Sequence, residues 1–133
     1  MNTEPKIFAQ FLATIAWADE EYSAIEKSTI QSIAENLRMP ELPKEMDSYI
    51  DQFKHFSGTE ITSSLSEIVP QVHADDKDEL LKACILMMGC DDYLADEEIS
   101  NYFVIARMLG KSEDEALCLL SGLTNDDEVV VED

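Results

Sequence analysis

Apolar residues recur along most of this chain at the three- and four-residue spacing that places them on one face of a helix. Strand signals, in which apolar and polar positions alternate, are nearly absent. The pattern predicts seven helices with brief connections between them. The first four helices are predicted at about Glu4 to Ala18, at about Ala24 to Arg38, from near Pro43 through Phe56, and over a shorter stretch that contains Ile68 and stops near Pro70. The last three are predicted from Asp75 or Asp76 through Met88, from after Ala95 through Leu109, and from Ser112 through Leu123.

The predicted helix ends carry capping signals. Ser23 with Glu26, and Ser112 with Glu115, have the S-x-x-E spacing of a capping box, in which each residue satisfies a backbone N–H of the other. Gly110 stands where a left-handed glycine commonly ends a helix. Asp75 or Asp76 is the predicted cap of the fifth helix. These signals place helix ends where the apolar pattern also breaks.

The number and length of the helices predict the fold class. Seven short helices with brief connections are typical of an all-α fold, a compact bundle of about seven helices. A chain of 133 residues that is 45% hydrophobic has the size of one domain with a real core. We therefore expect a single helical domain over residues 1–123 and an acidic C-terminal tail over residues 124–133 that frays.

The formal net charge of −20 narrows the possible partners. Such a surface repels the phosphates of nucleic acids and of anionic membranes, so neither is an expected partner. Cations and basic proteins are favoured instead, although acidity can also serve solubility alone.

No apolar run is long enough to span a membrane. The three cysteines match no metal-ligand spacing, and Cys84 and Cys118 fall on apolar helix faces, so we expect a cytoplasmic protein.

An acidic turn occurs twice in the same setting. In each copy an apolar helix ends in an aspartate, a turn follows, and a glutamate seven residues after the aspartate lies in the next helix. Asp19 and Glu26 form the first pair, and Asp91 and Glu98 form the second. The repeat predicts two pseudo-symmetric helical hairpins, and it is the one feature that points to a chemistry.

The two aspartates favour a bound hard cation. An aspartate at a helix C-terminus faces the negative end of the helix dipole, which costs up to ~1 kcal/mol. Ca²⁺ or Mg²⁺ bound by several carboxylate and carbonyl oxygens would offset this cost. The alternative is that Asp19 and Asp91 are solvated turn residues, because aspartate is common in turns. Neither turn is an EF-hand loop, since the position that requires glycine is Ala24 or Asp96.

The two glutamates differ in what else explains them. Glu26 is the capping-box partner of Ser23, so helix capping alone can account for it. Glu98 has Ala95 at the matching position, which offers no oxygen, and Asp96 is the alternative cap for that helix. Helix capping therefore explains Glu98 less well than it explains Glu26.

At these residues the chain resembles the TerB-like family, named for tellurite resistance, which includes a domain of DnaJ-like membrane proteins. The resemblance is best at Ala18-Asp19…Glu26 and at Asp91…Leu94…Glu98, and weakest over about residues 40–70. It implies an all-helical fold in which the two motifs face each other and hold a divalent cation, with Ca²⁺ as the expected ion. The residues that match the family's acidic positions, and would be the metal ligands, are Asp19, Glu26, Asp91 and Glu98.

Catalytic motifs are absent from the sequence. His55 and His73 form neither Glu-x-x-His nor His-x-x-x-His, and no glycine-rich phosphate loop or G-x-S-x-G elbow occurs. We therefore expect no enzyme. The first hypothesis is a domain that binds Ca²⁺ or Mg²⁺ in stress response or sensing. The second is a metal-free interaction module that binds a basic protein through its acidic surface. A metal-dependent hydrolase is a third alternative, and it lacks an identifiable nucleophile or proton donor.

Overall fold

The computed structural model describes residues 3–17, 22–89 and 96–124, and within these ranges the chain is all-helical. The helices are α1 (Pro5–Ala16), α2 (Ala24–Leu37), α3 (Leu42–Phe53), α4 (Gly58–Ile68), α5 (Lys77–Met88), α6 (Asp96–Met108) and α7 (Glu113–Thr124). Two 3₁₀ turns, Val69–Gln71 and Ala74–Asp76, connect α4 to α5. The predicted all-α bundle of seven helices is confirmed for these ranges, and no helix in them is long and apolar enough to cross a membrane.

Helix α1 lies at the centre of the bundle. The ten residues from Ile7 to Ala16 are all buried, and none of them is charged. A helix that is apolar on every side needs neighbours on every side, and α1 packs against α3, α4, α5 and α6. The two buried polar side chains of α1 each have a hydrogen-bond partner. Gln10 Nε2 donates to Ser64 Oγ of α4 at 3.0 Å, and Thr14 Oγ1 donates to the Gln10 carbonyl at 3.0 Å.

The helix boundaries repeat along the chain with an offset of 72 residues. Helix α1 begins at Pro5 and α5 begins at Lys77, and both contain 12 residues. Helix α2 begins at Ala24 and α6 begins at Asp96, which is the same separation. The connection from the first helix to the second therefore has the same length in both halves of the chain.

The same offset relates the two left-handed residues that the described ranges contain. Arg38, the C-cap of α2, has a φ of 59°, and Gly110, after α6, has a φ of 85°. Gly110 is thus the left-handed glycine that the sequence predicted. A left-handed backbone costs a side-chain-bearing residue roughly 1 kcal/mol, and glycine escapes this cost. Both halves therefore have a left-handed residue at this point, an arginine in the first and a glycine in the second.

Packing between the two halves is reciprocal. Helix α1 packs on α5 and also on α6, while α5 packs on α2. Exchanging the unit α1–α3 with the unit α5–α7 leaves the α1–α5 contact unchanged and interchanges the other two, as at the interface of a symmetric dimer. Within each unit, the third helix packs on the first and the second. The two halves therefore share a repeat of three helices, with α4 between the two copies. The first two helices of each copy differ in packing, because α5 packs on α6 whereas α1 and α2 make at most a weak contact.

The third helices of the two units differ in burial. Helix α3 buries four large apolar side chains: Leu42, Met46, Ile50 and Phe53. In α7, among the side chains that the structure describes, only Ala116 is buried, and Leu117 is 49% exposed. Cys118 is exposed, so its predicted place on a packed face is wrong. Apolar residues occupy successive positions of α7, and their spacing alone does not select which of them faces the bundle.

Asp76 has a different role from the predicted cap of α5. Its side chain makes no capping hydrogen bond, and it is buried with 5% of its surface exposed. The N–H and the hydroxyl of Thr3 donate to Asp76 Oδ2 at 2.8 and 2.7 Å, and His73 N–H donates to Thr3 Oγ1 at 2.9 Å. A buried carboxylate needs such donors. They come from the N-terminal segment, which local sequence patterns around Asp76 do not reveal.

Tyr102 connects α6 to α7. Its side chain is fully buried, and its hydroxyl donates to the Ala116 carbonyl at 2.7 Å. Phenylalanine keeps the volume but removes the donor. We expect Tyr102→Phe to lower the free energy of unfolding by ~0.5–1.5 kcal/mol in urea at neutral pH. Tyr49→Phe is the control, because the Tyr49 hydroxyl forms no hydrogen bond within the described residues.

Tyr102→Phe should also change how the stability of the protein depends on alkaline pH. Burial, assisted by the nearby Cys84 and Asp78, raises the pKa of Tyr102 from 10.0 to about 12. The unfolded chain therefore loses this proton at a lower pH than the folded chain. The contribution of neutral Tyr102 to stability is complete below pH 10.0 and is lost as the pH rises to about 12. The urea midpoint of the wild type should fall more steeply over this interval than that of Tyr102→Phe, and parallel curves would contradict this assignment.

Candidate functional site

Glu26 is the third residue of α2 and is held by the predicted capping box. Ser23 N–H donates to Glu26 Oε1 at 2.7 Å, and Glu26 N–H donates to Ser23 Oγ at 3.2 Å. A carboxylate in the first turn also interacts favourably with the helix dipole. The capping role of Glu26 is confirmed. The side chain is nevertheless unusual for a cap, because only 4% of its surface is exposed.

Glu98 occupies the equivalent position in the second unit. It is the third residue of α6, 72 residues after Glu26, and it is 5% exposed. Asp96, the alternative cap in the sequence prediction, is the first residue of α6 and lies inside the helix. Every buried side-chain nitrogen or oxygen of the described residues has a hydrogen-bond partner. The fold therefore accommodates both buried glutamates with the protein groups that surround them.

The two predicted aspartate ligands, Asp19 and Asp91, lie outside the described residues. The C-cap of α1 is Trp17 and that of α5 is Gly89, so each aspartate follows a C-cap by two positions in the sequence. Within the described ranges, no three or more His, Cys, Asp or Glu side chains are grouped so that they could hold a metal ion. The assignment of the four acidic residues as metal ligands stays a prediction.

Two surface grooves meet at Trp17, the half-buried residue that ends α1. The first, here named the α1/α4/α6 groove, has a volume of about 430 Å³, and its lining includes Trp17, Phe56, Ile61, Asp96, Glu97 and Asn101. The second, the α2/α3 groove, has a volume of about 390 Å³, and its lining includes Trp17, Tyr22, Lys27, Asp47, Asp51 and Lys54. Asn101 Nδ2 donates to the Thr14 carbonyl at 3.4 Å. The C-terminal end of α1 therefore lies beside the N-terminal turns of α6.

The α1/α4/α6 groove combines aromatic rings with uncompensated carboxylates. Asp96 and Glu97 are exposed, and neither forms an ion pair within the part of the chain that is described. Phe56 is 37% exposed and packs against Phe53 with ring centroids 6.1 Å apart. No lysine or arginine is among the described residues that line this groove. The groove is therefore a negatively charged surface with an aromatic lining.

The α2/α3 groove contains its own cations. Lys27 Nζ lies 5.4 Å from the centroid of the Tyr22 ring, and Lys54 Nζ lies 3.4 Å from Asp51 Oδ1. Burial raises the pKa of Tyr22, and the negative charges of Asp47 and Glu26 raise it further. The carboxylates on this side are thus balanced in part by lysines, unlike those of the α1/α4/α6 groove.

The sequence did not identify the α1/α4/α6 groove. Its walls come from the end of α1, the start of α4 and the start of α6, which are distant in sequence and adjacent only in the folded chain. Trp17, whose helical spacing is typical of a core residue, packs partly buried against the core and also lines both grooves. The acidic pair at the start of α6 was visible, but nothing local indicated that aromatic rings face it.

No protein-family model, curated protein or solved structure matches this chain. The resemblance to the TerB-like family therefore stays a prediction that rests on the two acidic motifs. The all-helical architecture, which that resemblance implies, is established by the helices themselves.

A third capping box, with the same S-x-x-E spacing in the sequence, offers a matched comparison for Glu26. At the start of α4, Ser57 N–H donates to Glu60 Oε1 at 2.8 Å, and Glu60 N–H donates to Ser57 Oγ at 3.2 Å. The two boxes share the same bonds, but the Ser57 box is exposed, whereas Glu26 is buried.

We expect removal of the serine to be more costly at α2 than at α4. In Ser57→Ala water can replace Ser57 Oγ as the acceptor for the Glu60 N–H, so the free energy of unfolding should fall by ~0.5–1 kcal/mol. In Ser23→Ala the Glu26 N–H lies beside a buried carboxylate and has less access to water. The free energy of unfolding should therefore fall by ~1–2 kcal/mol. Urea denaturation of both variants measures the difference. A larger loss in Ser57→Ala would mean that burial does not strengthen the α2 box.

Proposed function

We propose that this chain is a non-enzymatic acidic helical domain that binds a divalent cation, Ca²⁺ or Mg²⁺, between its two acidic turns, in stress response or sensing. The ligands would be Asp19, Glu26, Asp91 and Glu98. The observation that carries the proposal is the equivalent placement of the two glutamates. Each is the third residue of its helix, the two helices begin 72 residues apart, and the exposed fractions are 4% and 5%.

The packing of the two units supports a site between the turns. Helix α1 packs on α6 and α5 packs on α2, so each first helix contacts the second helix of the other unit. Trp17 precedes the first acidic turn and lines the same groove as Asp96 and Glu97, which follow the second. Helix ends from both units therefore meet in this part of the molecule, as a shared cation site requires.

The donor chemistry fits a hard cation. Ca²⁺ and Mg²⁺ prefer carboxylate and carbonyl oxygens, and two buried carboxylates supply the strongest of these donors. At Glu26 the capping bond from Ser23 N–H uses Oε1. A cation between the units would offset the repulsion among the acidic side chains and hold the two units together. Its expected effect is therefore on stability.

We expect the chelator-treated protein to be stabilised by saturating Ca²⁺, Mg²⁺ or Mn²⁺ in a thermal unfolding experiment. At one hundred times the dissociation constant, a single site contributes about 2.7 kcal/mol, which raises the midpoint by roughly 5–10 °C for a domain of this size. In Asp19→Asn with Asp91→Asn the rise should disappear. Isothermal titration calorimetry should give a stoichiometry near one for the wild type and no saturable heat for the double variant.

The control removes equal charge elsewhere. Glu60 and Glu115 belong to the capping boxes of α4 and α7, and both are exposed. Glu60→Gln with Glu115→Gln should therefore keep the full response to the cation. If the two double variants respond alike, the cation effect is general screening of a highly acidic protein, and the proposed site is wrong.

A second candidate function is an interaction module that binds a basic protein. The chain has 29 acidic and 9 basic residues, and four of the lysines already lie near carboxylates in the pairs Lys6–Glu4, Lys54–Asp51, Lys82–Glu79 and Lys111–Asp78. The surface is left with many carboxylates that no basic side chain of the same chain can balance. A complex formed through this surface would weaken as salt increases and would be indifferent to chelators, which separates it from cation binding.

A further inference from the structure

We propose that the α1/α4/α6 groove is a docking site for an arginine side chain of a basic partner protein. The proposal rests on the second candidate function, the interaction module, and does not require a metal site. It names both the place on the acidic surface and the chemical group that this place recognises.

The aromatic rings in the groove favour a cation that can stack. Trp17 and Phe56 both line the groove, and both retain exposed surface. A guanidinium group placed over the face of an aromatic ring is attracted by the ring's negative quadrupole, and tryptophan is the strongest of the aromatic partners. Apolar surface around the rings also covers the methylene groups of a long basic side chain.

The carboxylates add the complementary charge. Asp96 and Glu97 are the first two residues of α6, and both are exposed on the groove. Arginine suits this arrangement better than lysine, because its planar fork can bond to carboxylate oxygens while one face stacks on a ring. The Asn101 side chain, which already bonds to the Thr14 carbonyl, fixes α6 against α1 beside these carboxylates.

Other acidic grooves of the described structure already contain basic groups. In the α2/α3 groove, Lys27 and Lys54 lie among the carboxylates. In the groove between α5 and α7, Lys111 Nζ is 2.8 Å from Asp78 Oδ1. The α1/α4/α6 groove has the same kind of acidic lining without a lysine or arginine from the described chain. Charge complementarity therefore selects this groove for a basic side chain from another protein.

Binding in the groove can be followed by the fluorescence of Trp17, because it is the chain's single tryptophan and it lines the groove. The probe is a short, end-blocked peptide of alternating glycine and arginine, titrated at low salt with EDTA present. We expect a saturable change in Trp17 fluorescence. The same peptide with citrulline in place of arginine keeps the shape and loses the charge, and it should bind at least about tenfold more weakly.

A matched pair of variants separates a specific groove from general attraction to an acidic protein. Helix α7 also begins with two exposed acidic residues, Glu113 and Asp114, which lie outside the lining of the α1/α4/α6 groove. Asp96→Asn with Glu97→Gln should weaken binding of the arginine peptide by about tenfold. Glu113→Gln with Asp114→Asn makes the same change in net charge and should weaken binding by less than about twofold. All four side chains are exposed, so neither variant removes core packing.

Phe56→Leu tests the aromatic contribution separately. Leucine keeps apolar contact and removes the π-face, so the arginine peptide should bind about two- to fivefold more weakly. Equal weakening by the two acidic double variants, equal binding of the citrulline peptide, or no saturable change in Trp17 fluorescence would each overturn the proposal. Because EDTA is present throughout, the result is independent of the proposed cation site.

Discussion

The burial of α1 on every side is the constraint on which the rest of the structure depends. An uncharged helix with ten consecutive buried residues cannot remain at a surface, so four other helices must cover it. Gln10 and Thr14 are tolerated inside because each has a hydrogen-bond partner. The two ends of α1 are then held against distant parts of the chain. Near the N-terminal end Thr3 binds Asp76, and near the C-terminal end Thr14 binds Asn101.

The internal repeat places two of the acidic residues in equivalent positions. Glu26 and Glu98 are each the third residue of the second helix of a unit, and both are buried. The equivalence is not general, since Thr14 is buried whereas Leu86, at the matching position of α5, is exposed. The capping box accounts for the orientation of Glu26 through one carboxylate oxygen. Capping alone does not require burial, since the boxes at Ser57 and Ser112 are exposed.

Periodicity was sufficient to predict the seven helices, because each of them buries a face, and the all-α fold followed from their number and spacing. It also located Gly110, whose left-handed backbone is a local requirement. It was insufficient where the deciding partner is distant in sequence. Asp76 looked like a cap but is bound by Thr3, and Cys118 looked buried although α7 turns another face inward. The candidate groove was missed for the same reason, since Phe56 and Asp96 meet only after α4 and α6 have packed against α1.

The amount of negative charge and its placement have different consequences. A net charge of −20 attracts any cation from a distance, and salt screens this attraction over about 10 Å, so by itself it selects no partner. Selection needs carboxylates held in a fixed relation to other groups. The two glutamates are buried at equivalent helix positions, and the carboxylates of the α1/α4/α6 groove line the same groove as Trp17 and Phe56. A small hard ion suits the first arrangement, because it needs oxygens alone. A broad, flat guanidinium suits the second, because it needs a ring face as well as oxygens. The two proposals therefore assign different cations to the two arrangements, although both draw on the same excess of charge.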